Sequence, residues 1–137
     1  MSHRTFYNFI DHRGEDVISD WLRDRKTPKG TKVQLDSRLN VLANVMSLDA
    51  RPNAAYLAFK NGVDCRGLFE VRLKVKNQHL RIIGYEGPDG QCATLLVCCR
   101  EKDREFVDPK DPCGIAKKRI ADLESGRGDI VEYFRKV

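Results

Sequence analysis

Between residues 67 and 99 the chain carries three apolar runs, 67–75, 80–86 and 92–99, joined by "KNQH" and "GPDG". Links this short join only antiparallel neighbours, and Gly-Pro-Asp-Gly is a strong turn signal, so the three runs are expected to form a meander of two hairpins. Side chains alternate along a strand. "LFEVRLKV" therefore puts Phe69, Val71, Leu73 and Val75 on one face and Leu68, Glu70, Arg72 and Lys74 on the other. In the next run Arg81 and Ile83 share a face while Leu80, Ile82 and Gly84 point oppositely. A sheet covered by helices on one side and open on the other satisfies both strands.

The flanking segments supply those helices. Residues 5–11 mix aromatic, β-branched and polar side chains in the manner of a short strand, which Arg13-Gly14 ends. Val17, Ile18, Trp21 and Leu22 recur at helical spacing, with Glu15 and Asp16 at the positive end of the dipole. After Pro28-Lys29-Gly30, Thr31 is the expected N-cap of a long helix whose stripe is Leu35, Leu39, Leu42 and Met46. Residues 49–64 hold no sustained period and read as an irregular, mobile connection with a short turn of helix. Asp111-Pro112 starts a further helix, with Ile115, Arg119 and Leu123 or Ala116, Ile120 and Leu123 at helical spacing, stopped by Gly126 and Gly128. A last short helix is expected around Ile130, Val131 and Phe134. With 137 residues and no repeat, one α+β domain over 1–137 is the expectation.

A formal net charge of +5 favours a polyanion or an acidic protein as partner. No apolar run is long enough to span a bilayer, so no membrane is expected. The five cysteines form no regular framework, and no signal peptide and a reducing cytoplasm are the expectation. Cys98 and Cys99 fall on opposite faces of a strand and cannot chelate together, so buried thiols are expected and a metal or cofactor is not. Neither a Walker pattern nor G-x-G-x-x-G occurs.

What remains is the polar face. Arg72 and Arg81, flanked by Glu70, Lys74 and Lys102, suit bidentate capture of a phosphodiester; they also suit, and by pattern slightly better, a solvated face with cross-strand ion pairs such as Glu70 with Arg81. Pattern alone leaves both readings open.

The element order, with Leu68, Phe69, Glu70, Val71 and Arg72 followed by Leu80, Arg81, Ile82, Ile83 and Tyr85, resembles the RelE/HigB toxin superfamily, in particular its phage-derived HigB-like branch. "ATLLVCCREKDREFVDP" and "GIAKKRIADLE" extend the likeness, which covers roughly residues 6–124. The resemblance implies a small domain with helices on one face of a curved antiparallel sheet, made of the N-terminal strand and the meander, and a C-terminal helix. It also implies metal-independent, ribosome-dependent mRNA cleavage and a small helix-turn-helix antitoxin as partner. By the same resemblance Arg72 and Arg81 grip the scissile phosphate as a ribose 2′-hydroxyl attacks it. Lys102 and Lys60 hold the backbone or shift protons, with Lys102 counted among the catalytic groups, and Tyr85 stacks on a base. Where the branch commonly has a histidine and a lysine, this chain has Val97 and Glu101, and Arg100 and Arg104 supply charge nearby. A module that keeps the fold and basic face but only binds RNA or protein is the alternative expectation, with Lys60, Lys74, Tyr85, Arg100 and Arg104 as its contacts.

Overall fold

A computed structural model describes residues 4–44, 57–59 and 65–134. Along the chain run β1 (Thr5–Ile10), α1 (Val17–Arg23), α2 (Thr31–Leu42), β2 (Leu57–Phe59), β3 (Phe69–Val75), β4 (Gln78–Tyr85), β5 (Cys92–Lys102), β6 (Glu105–Val107), α3 (Pro112–Glu124) and β7 (Asp129–Glu132). The protein is α+β, built on one sheet in the order β2-β3-β4-β5-β1-β7, with β6 paired to β5.

The meander forms as its links dictate. Lys76 and Asn77, at φ 50° and 65°, make the two-residue turn between β3 and β4 with both residues left-handed, the geometry that matches strand twist. The sheet is nevertheless mixed rather than purely antiparallel, because β1 lies parallel to β5, from Thr5 opposite Cys92 to Asn8 opposite Leu95. The tail also differs from the expected helix. Ile130 and Val131 are β-branched, and β7 pairs antiparallel with β1, satisfying a backbone edge that would otherwise stand open.

One face of the sheet carries the larger core. Phe69, Val71, Leu73, Leu80, Ile82 and Leu95 meet Ile18 of α1 and Leu35, Leu39 and Leu42 of α2. Each such side chain, fully withdrawn from water, contributes about 1.5–3 kcal/mol. The stripe on α2 is therefore as expected, although Met46 lies outside the described residues. Gly30, left-handed at φ 95°, is the N-cap in place of Thr31, whose hydroxyl instead donates to the Pro28 carbonyl at 2.6 Å. Gln34 fastens α2 to β3 through two hydrogen bonds with the Lys74 backbone, at 3.0 and 3.1 Å.

The opposite face is not open, which corrects the expectation of helices on one side only. α3 begins with Asp111 accepting from the Gly114 amide and Pro112 in its first turn, as read from the sequence. It packs Ala116, Ile115, Ile120 and Leu123 against Phe9, Ile83, Leu96 and Val97. A Cys65–Cys113 disulfide ties the start of this helix to the segment entering β3, so two of the five cysteines are not the buried thiols expected. Cys92, Cys98 and Cys99 are buried and take part in no disulfide. Burial pushes the Cys98 thiol well up, which leaves it protonated and unreactive.

Candidate functional site

Register across the meander sorts the polar face into three rows. Glu70, Ile83 and Val97 lie opposite one another on β3, β4 and β5; Arg72, Arg81 and Cys99 form the next row; Lys74, His79 and Glu101 form the third. Burial falls along the same direction. Row one is wholly buried beside α3, row two pairs buried Arg81 and Cys99 with half-buried Arg72, and row three has Lys74 and His79 exposed. The face grades from core to solvent toward the tips of the β3–β4 and β5–β6 hairpins.

Arg72 and Arg81 are thus directly opposite on adjacent strands, but they live in different media. Arg81 is 8% exposed. Its Nη1 donates to the carbonyls of Leu80 at 2.9 Å and Leu73 at 3.3 Å, and its Nε lies 3.3 Å from Glu101 and 3.8 Å from Glu70. Arg72 keeps 41% of its side chain exposed while its Nε meets Glu70 at 2.9 Å. The fully buried carboxylate of Glu70 sits between the two guanidinium groups, and the cross-strand pairing of Glu70 with Arg81 is formed. Two carboxylates and two guanidinium groups balance, as burial of charge requires.

The other expected site residues are dispersed. Glu101 shares the face of Arg81, so by alternation Arg100 and Lys102 turn to the opposite face. Accordingly, Arg100 Nη2 donates to the Lys26 carbonyl in the α1–α2 connection at 2.8 Å. Arg104 occupies the β5–β6 turn with Asp103, at φ 67° and 53°, and both are exposed. Tyr85 lies at the far end of β4, packed against the α3 cluster. Burial first and the Glu124 carboxylate second push its phenol above the ordinary range. It is four residues from Arg81, about 13 Å of strand. Lys60 lies outside the described residues.

Between the hairpin tips is a cleft of about 740 Å³, reached by His79, Arg100, Glu101, Lys102 and Arg104. It brings Lys102, Arg100 and Arg104 to one mouth, and leaves Tyr85 outside. Among the described residues no group of three or more His, Cys, Asp or Glu is placed to hold a metal ion. No helix there is long and apolar enough to cross a membrane.

No family model, curated protein or solved structure matches the chain. Neither His79 nor Glu101 was among the site residues expected from the sequence. Counting two positions back from Arg81 places His79 on the arginine face, a signal present in the alternation. Glu101 was hidden because β4 and β5 slip register between Ile83 and Gly84, so its face does not follow from counting along β5 out of the hairpin turn.

Proposed function

We propose that the chain is a toxin of RelE/HigB type, an endoribonuclease acting on mRNA at the ribosome in the cytoplasm and restrained by a small helix-turn-helix antitoxin laid over the hairpin-tip cleft. The observation that carries the reading is the group of exposed cations, Lys74, Lys76 and Arg104, at the end of the sheet to which the half-exposed guanidinium of Arg72 leads. A backbone of phosphates is the ligand that such a group suits, and Arg can grip one phosphate through two nitrogens. Arg72 would meet the phosphate. Arg81 would act from beneath, holding Glu70 and Glu101 in place and adding positive potential in a low-dielectric setting. Attack by a ribose 2′-hydroxyl requires charge stabilisation and proton transfer, both within reach of side chains. Inducing the wild type without an antitoxin is expected to arrest growth and create new mRNA 5′ ends, and Arg72→Ala to abolish both. Unchanged growth and 5′ ends with the wild type would remove the enzymatic reading.

A second reading, an RNA- or protein-binding module without catalysis, is favoured by one feature. Val97, where the branch has a histidine, is buried in the α3 cluster and can move no proton. That reading expects salt-dependent RNA binding by the purified protein with no cleavage.

A further inference from the structure

We infer that His79 and Glu101 are the acid and base of the RNA-cleaving step, an assignment that rests on the toxin reading above. The two residues are direct cross-strand partners on β4 and β5, and both line the hairpin-tip cleft. Side chains of such a pair start about 4.5–5.5 Å apart at Cβ, so both can reach oxygens on a single phosphorus. His79 is exposed, as a group that must meet substrate has to be. Glu101 is aimed: Arg81 holds its carboxylate at 3.3 Å, and Arg81 itself is fixed by backbone carbonyls of β3 and β4. Arg81 is then a positioning residue. Arg72, diagonal to His79 on the same face, is within about 7–8 Å and supplies the charge for the phosphate.

The chemistry balances without a co-reactant. The Glu101 carboxylate takes the proton of the ribose 2′-hydroxyl as O2′ bonds to phosphorus. The bond from phosphorus to O5′ breaks, and the imidazolium of His79 gives its proton to the departing O5′. A 2′,3′-cyclic phosphate and a 5′-hydroxyl result; Glu101 is left protonated and His79 neutral, and one proton exchanged through solvent restores both. An imidazole is the side chain best suited to this duty near neutral pH. The groups that tune the pair are Lys74 from β3, Arg100 and Lys102 from β5, Asp103 and Arg104 from the turn, and Asp108 beyond β6.

The pH dependence of RNA cleavage by purified protein on ribosomes tests this. The wild type should give a bell-shaped kcat profile and cyclic-phosphate ends. His79→Gln should lower kcat by ~100-fold or more and remove the alkaline limb while RNA affinity stays within about twofold. Glu101→Gln should remove the acidic limb. Because that change also strips Arg81 of a partner, Glu101→Asp is the companion variant, keeping the charge while shortening its reach, and should lower kcat with the acidic limb retained. Cleavage whose rate and profile are indifferent to His79→Gln overturns the assignment and leaves the toxin reading standing. A folded wild type that binds RNA and never cuts it removes both.

Discussion

The two faces of the sheet are built on opposite rules. Beneath α1 and α2, Phe69, Val71, Leu73, Leu80 and Ile82 pack with Leu35 and Leu39, and the arginines at the border of that cluster, Arg4 and Arg100, donate to the backbone carbonyls of Leu42 and Lys26. Beneath and beside α3, an apolar patch around Ile83 and Val97 runs directly into Glu70, Arg81 and Arg72, and from there into solvent. The apolar centre of the first face is satisfied by volume. The second must be satisfied by geometry, since each buried charge needs its partner at the right place. A face that keeps buried charge next to an exposed guanidinium is held in one arrangement, and function is best sought there.

The largest expected effect separates these rules. Glu70→Ala leaves buried Arg81 and its neighbour Arg72 without their shared carboxylate, and should cost about 3–5 kcal/mol in urea unfolding. Replacing Glu70 and Arg81 together by Leu and Met should recover most of that loss. A Glu70→Ala protein as stable as the wild type would mean the charges are solvated and the two faces do not differ. On the other face, Leu39→Ala should cost about 2–5 kcal/mol through lost burial and a residual cavity, with RNA binding by the remaining folded protein unaltered.

A smaller effect concerns pH. Tyr133 donates to Asp36 of α2 at 2.6 Å, and burial, followed by that carboxylate, holds its phenol far above the usual value of about 10. The folded state thus resists ionisation that the unfolded chain accepts. Stability from this group is fully present below about pH 10 and drains away above it. Tyr133→Phe should flatten the alkaline fall in unfolding free energy; an identical slope would show that the phenol has no part in it.

These effects also mark what the sequence disclosed. The meander, the stripe on α2 and the Asp111-Pro112 start of α3 were legible because each is local: a period, a cap, a link too short for any other connection. The parallel placement of β1 beside β5, and the arrival of β7 on its other edge, depend on contacts between residues more than eighty positions apart and leave no local mark. β6 escaped notice because Asp103-Arg104 makes its left-handed turn without the glycine that usually announces one. For the site, alternation correctly put Arg72 and Arg81 side by side. It could not show that α3 covers that face, that Glu70 lies fully buried between them, or that Lys102 turns away. The disulfide of Cys65 with Cys113 likewise joins segments that only the fold brings together.

In the proposed function Arg72 meets RNA phosphate while Arg81 serves the interior. The most direct test is to measure binding of a single-stranded RNA oligomer to the wild type and to Arg72→Ala across a series of salt concentrations. Wild-type binding is expected to weaken steeply with salt, and the slope of log affinity against log salt to be shallower by about 0.7 in Arg72→Ala, the mark of one lost phosphate contact. The same slope in both proteins, or no binding by the wild type at low salt, would contradict that assignment.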